Sequence, residues 1–153
     1  MTGRLRTLAL GVLAAQLAAP LEAGGQLDRT AVDVVAPADI KWVKNAAGTN
    51  EQAVLFGDPA KPGPYVLRIK WLPTNNFSRP HTHPNDRFFV VISGTWWVGS
   101  GTKFDPDSTV PVRPGSYVIH YAGKPHYDGA KTEETVIQVW GIGPNTTTSA
   151  EVR

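Results

Sequence analysis

The stretch that decides the fold is SRPHTHPNDRFFVVISGTWWVG, Ser78 to Gly99. Its second part, from Arg87 onward, reads as two short strands, and Ser93-Gly94 between them predicts a hairpin turn. Its first part sets two histidines one residue apart, His81 and His83. Side chains at i and i+2 of a strand share a face, roughly 6–7 Å apart at the backbone, so these two can converge on one ion. Neutral imidazole suits Zn, Cu, Ni and Fe, and three such ligands leave positions open for water or substrate. An isolated His-x-His also fits a polar turn. What argues against the bland reading is that all four histidines, His81, His83, His120 and His126, fall in this one central region.

Outward from that stretch the same local grammar continues. PYVLRIKW, residues 64–71, alternates strictly and places Tyr65, Leu67, Ile69 and Trp71 on one face of a half-buried strand. Pro114-Gly115 supplies the fixed φ and the positive φ that a type II turn needs, and ETVIQVWGIG, residues 134–143, reads as a closing strand. With 153 residues, 41% apolar content, 15 Gly, 13 Pro and 5 Trp, the chain suits one domain of six to ten short strands and no long helix. The expected fold class is all-β, a sandwich or barrel, and a small closed barrel can hold a ligand or metal inside. A formal charge of only +2, without basic runs, gives no nucleic-acid footprint.

The ends are of another kind. MTGRLR carries two arginines ahead of an apolar run from Leu8 to Ala19, and residues 1–23 read as a signal peptide cleaved before Gly24. That run is too short for a membrane span. Export to the periplasm or the medium is expected, and the absence of cysteine removes both a lipid anchor and disulfides. Residues 24–36 read as a flexible linker, 37–147 as the domain and 148–153 as a tail.

Two spaced patterns together resemble the motifs of the cupin superfamily, small jelly-roll β-barrels. The first family motif runs Gly, five residues, His-x-His, three or four residues, Glu, six residues, Gly. His81, His83 and Gly94 fit it, and Asn75, which also tolerates positive φ, stands at the opening Gly. The second runs Gly, five residues, Pro-x-Gly, two residues, His, three residues, Asn. Gly115, Gly123 and His126 match, whereas Tyr121 replaces the Pro and Ala130 the Asn. The resemblance implies a cupin-type jelly-roll barrel with His81, His83 and His126 as ligands of one divalent transition metal. It also implies a small-molecule ligand or substrate, and a homodimer.

The family's Glu ligand falls on Arg87. A guanidinium has no lone pair to give and stays protonated, so the implied site has three nitrogens and no oxygen, favouring Cu, Zn, Ni or Fe over hard ions. A dication about 4 Å from Arg87 is opposed by about 8 kcal/mol at an effective dielectric of 20. Three arrangements reconcile this. Arg87 turns away to pair with Asp86 or another acid, leaving an open three-histidine metal as in some dioxygenases of the superfamily. Or Arg87 points inward and, with the metal, clamps an anionic ligand. Or Arg87 has replaced the ion, and the barrel binds a small polar molecule without metal. His120 is either a fourth ligand or general base, or a wall histidine satisfied by a backbone carbonyl. Arg87, His120 and Tyr121 are the candidate catalytic residues. Tyr117 and Tyr127 either orient a substrate or pack, and Gln138 faces either the interior or outward. The first expectation is an exported metal-dependent enzyme, dioxygenase-like or otherwise metal-assisted, acting on a small organic acid or carbonyl compound. The alternative is a non-catalytic binder of a polar or anionic molecule.

Overall fold

The computed structural model describes Gly25 and residues 27–152. The signal peptide expected over residues 1–23 lies outside them. The chain divides into a segment up to Val34 and a body that begins at Val35. In that segment Asp28 caps a short exposed turn, its carbonyl accepting from the amides of Ala31 and Val32 at 3.0 and 2.9 Å.

The body is built from twelve strands: β1 (Val43–Lys44), β2 (Asn50–Phe56), β3 (Gly63–Trp71), β4 (Asn76–Phe77), β5 (His81–Thr82), β6 (Arg87–Ser93), β7 (Trp96–Ser100), β8 (Val110–Val112), β9 (Tyr117–His120), β10 (His126–Ala130), β11 (Thr135–Gly143) and β12 (Thr148–Ser149). One sheet runs β1-β2-β3-β11-β6-β9, the other β12-β5-β10-β7-β8 with β4 also paired to β10. The alternation read in residues 64–71 is observed: Tyr65, Leu67, Ile69 and Trp71 are buried and the residues between them are not. These four join Phe89, Val91, Trp96, Ala130, Ile137 and Val139 in one core. Burying each large apolar side chain stabilises by roughly 1.5–3 kcal/mol.

Three expectations are corrected. β6 and β7 are not a hairpin: β6 pairs with β11 and β9, whereas β7 pairs with β10 and β8. Ser93-Gly94 is instead a corner by which the chain changes sheet. Gly94 sits at φ 72° against the start of β11, and a Cβ there would lie 2.2 Å from the Glu134 carbonyl oxygen. A glycine between two apolar runs signals a sharp reversal, and only distant strands decide whether the second run pairs with the first. Next, the strand from Thr135 does not close the barrel but lies centrally, between β3 and β6. Last, residues 148–152 are not a tail. β12 pairs with β5, Val152 N donates to Thr102 O at 3.0 Å, and Arg79 makes an ion pair with Glu151.

Two turns follow the sequence reading. Ser116 N donates to Arg113 O at 3.1 Å across Pro114-Gly115, with Gly115 at φ 85°. Asn75, standing where the motif has glycine, is at φ 55°.

Candidate metal centre

The site lies between the sheets, and strand register assembles it. In one sheet β10 places His126 directly opposite His81 of β5, with His83 two residues on. In the other, β9 places His120 opposite Arg87 of β6. All five side chains are buried. His81, His83 and His126 each bring a ring nitrogen within 4.8 Å of the others, and the His81 ring centroid is 4.9 Å from that of His83 and 4.5 Å from that of His126.

The tautomers of these three rings follow from their partners. Nδ1 of His81, His83 and His126 contacts the carbonyl oxygens of Arg79, Thr146 and Lys124 at 2.7, 2.8 and 2.9 Å. A carbonyl only accepts, so each Nδ1 carries a proton, and in the neutral ring it is Nε2 that keeps the lone pair. This is the outer support that metal-binding histidines commonly have. The donor set therefore fits a divalent transition metal: three neutral imidazole nitrogens, one of which, His83 Nε2, is buried without a partner. Burial pushes the His83 ring down to about 3, with the charges of Arg87 and His81 acting in the same sense. Burial likewise takes His126 to about 4, against the pull of Asp128.

Arg87 points inward. Its Nη2 donates to His126 Nε2 at 3.1 Å and, at 3.4 Å, to His120 Nδ1. The expectation that it turns away to Asp86 is not met, because the Asp86 carboxylate accepts from Ala122 N at 2.7 Å. Burial lowers Arg87 to about 10, which leaves it a cation at neutral pH, and its Nε is buried with no partner. His120 is not satisfied by a backbone carbonyl either. A guanidinium only donates, so His120 Nδ1 is the acceptor and its Nε2–H is a buried donor without a partner. The ring is packed by Phe89 and Trp96 at 4.5 and 5.4 Å, and burial drives its pKa far down.

The tyrosines and Gln138 stand elsewhere. Tyr121 follows the end of β9 and is 60% exposed, so the interior site holds Arg87 and His120 without it. Tyr117 is also exposed. Tyr127 is packed in the wall, its hydroxyl donating to Asp105 O at 3.0 Å. Gln138 is half-buried on the face opposite Ile137 and Val139 and accepts from Arg68 Nε at 3.4 Å.

The sequence reading missed Asp128. It is buried two residues after His126, and its carboxylate accepts from Trp96 Nε1 at 2.9 Å and Ser78 Oγ at 3.2 Å. Its charge supports the protonated forms of both Arg87 and His126. The i, i+2 spacing from His126 was the available signal. In front of the cluster lies a cavity of about 440 Å³, lined by His81, His83 and Arg87 and by Leu67, Trp71 and Asn145 among others. That volume is in the range of small-molecule sites.

No protein-family model matches this sequence, and no curated protein matches it significantly. Solved structures do match. The polyketide cyclase RemF from Streptomyces resistomycificus aligns with TM-score 0.64 at 17% identity, over 80% of this chain and 87% of that one. An RmlC-like cupin from Shewanella frigidimarina aligns with TM-score 0.55 at 11% identity, over 72% and 88%. The DMSP lyase DddQ from Ruegeria pomeroyi aligns with TM-score 0.56 at 15% identity, over 72% of this chain but only 61% of that one. At these identities the likeness is one of fold. Two packed sheets around buried histidines, and the likeness in fold to structures that include an RmlC-like cupin, give the domain a cupin-like β fold.

Proposed function

We propose that the protein is an exported, metal-assisted enzyme of the cupin type. In this reading His81, His83 and His126 hold one divalent transition metal, Fe, Cu, Zn or Ni, and Arg87 and His120 face the reacting molecule. The observation that carries it is the set of three Nδ1–H bonds to backbone carbonyls, which leaves three buried Nε2 lone pairs converging. The ion, when bound, supplies a Lewis acid with open positions. The chain's own residues then supply a cation, Arg87, for an acid, and an uncharged imidazole, His120, as hydrogen-bond donor. A small organic acid or carbonyl compound suits that combination. The structural neighbours include a cyclase and a lyase, so carbonyl polarisation stands beside dioxygenase-like chemistry as the reaction class.

Elemental mass spectrometry of untagged protein tests this. About one equivalent of metal, lost in His81→Ala, is expected; less than a tenth of an equivalent, unrecoverable on adding metals, overturns it. One observation favours the second reading, a metal-free binder of a polar or anionic molecule: the Arg87 contact to His126 Nε2. Under it Arg87→Glu abolishes ligand binding instead of strengthening metal binding.

Export rests on the leader pattern of residues 1–23 and is checked by the N-terminal sequence of the mature protein, expected to begin at Gly24. The outer face of the six-stranded sheet carries Phe88, Val90, Ile92, Tyr117, Trp140 and Ile142, of which Ile92, Tyr117 and Ile142 are exposed. A second copy covering this face would make the homodimer. Light scattering should give twice the chain mass for the native protein and the single mass for Tyr117→Glu. Among the described residues no helix is long and apolar enough to cross a membrane.

A further inference from the structure

We propose that the buried Arg87 guanidinium is a carboxylate-binding site, and that a carboxylate bound there frees His126 for the metal. The inference rests on the metal reading above and adds the class of ligand and its coupling to the ion.

Arg87 has an incomplete set of partners. It is 7% exposed, yet its hydrogen-bond acceptors are two histidine nitrogens and its Nε has none. The ion pairs among the described residues do not include it. Asp128, whose charge acts on it, has its two oxygens engaged by Trp96 and Ser78. A buried cation with no anion in contact is costly, and buried donors normally find acceptors. A planar fork of N–H donors lining a cavity is the geometry that takes a carboxylate bidentately.

The rest of the cavity refines the class. Trp71, in the same lining, has an indole N–H that is buried and unpartnered, and Asn145 has an unpartnered buried Oδ1. One asks for an acceptor and the other for a donor, which hydroxyl and carbonyl substituents supply. An adjoining hollow of about 540 Å³ shares Asn45, Gln52 and Leu67 with the cavity and carries Lys41 and Lys44, so the surroundings are positive. The ligand is a small hydroxy- or oxo-carboxylate.

Coupling to the metal follows from one lone pair. His126 Nδ1 is committed to Lys124 O, so Nε2 is its one acceptor site, and at present that site receives the Arg87 N–H. It binds either the guanidinium or an ion. A carboxylate that takes the donors of Arg87 and offsets its charge removes both obstacles, and by linkage the ion then strengthens carboxylate binding by the same factor. Couplings between two ligands are typically 5- to 150-fold.

The test is calorimetric titration of untagged protein with Zn²⁺, alone and with millimolar lactate or pyruvate, the neutral lactamide serving as control. The zinc binding of the acids themselves is measured without protein. Zinc affinity in the native protein should rise at least about ten-fold with the acids and not with lactamide. Arg87→Met should bind zinc equally with and without them. Equal zinc affinity with and without acid in the native protein overturns the coupling while leaving the metal reading intact. Undiminished coupling in Arg87→Met removes Arg87 from it. Zinc bound by neither protein under any condition overturns the metal reading itself.

Discussion

Replacing Arg87 should turn a hindered metal site into a strong one. A metal–imidazole bond is about 2.0–2.1 Å long and uses the Nε2 lone pair, and that lone pair of His126 is held by Arg87 Nη2 at 3.1 Å. The two exclude each other, so binding an ion first breaks a charge-assisted hydrogen bond, roughly 1.5–3 kcal/mol. Withdrawn to about 7 Å, the guanidinium would still oppose a dication by about 5 kcal/mol at an effective dielectric of 20. Asp128 offsets part of that charge. Removing the charge alone, in Arg87→Met, should therefore tighten zinc by about 3 kcal/mol, roughly 150-fold. Arg87→Glu should exceed it, because it adds an anionic oxygen ligand. Without metal the Glu variant should melt lower than the native protein, a buried carboxylate among neutral imidazoles being poorly solvated, and zinc should restore it. Competition against a fluorescent zinc chelator reads the affinities, and scanning calorimetry reads the melting. A Met variant with native zinc affinity would refute the claim that the guanidinium is the obstacle.

Acid should weaken the metal-free protein. His83 and His126 fall from the usual 6.5 to about 3 and about 4 on folding, so between those values the unfolded chain binds more protons. Stability is then complete above about 6.5 and declines as pH falls toward 4 and 3; a flat profile in urea titrations would contradict neutral, buried imidazoles. Asp128→Asn removes the carboxylate that supports Arg87 and bonds Trp96 and Ser78, and should lower unfolding free energy by about 1–3 kcal/mol. No loss in a denaturant titration would mean that this carboxylate is dispensable. Gly94→Ala forces a Cβ onto a backbone at φ 72° and to 2.2 Å from the Glu134 carbonyl. A loss of about 2 kcal/mol or more is expected, and native stability would show that the corner yields.

By itself the sequence determined what depends on neighbours along the chain. Alternation marked the inner face of β3, because successive side chains leave a strand on opposite sides whatever it pairs with. Pro114-Gly115 made the turn its φ preferences require, and Asn75 took the positive φ in place of glycine. The His81-x-His83 spacing put two imidazoles on one side, and the second motif spacing brought His126 to them. Tertiary structure decided what depends on partners far away in sequence. Gly94 reads as a hairpin turn until β11 and β10 claim the strands on either side of it. His120 joins the site because β9 pairs in register with β6. The same pairing, with Asp86 engaged by Ala122, sends Arg87 inward. Asp128 became part of the site only when Trp96 and Ser78 closed over it from other strands. Local dihedral preference and two-residue periodicity are written residue by residue. The choice of strand partner, and hence what faces a buried charge, is settled by which long-range packing leaves the fewest polar groups unpaired.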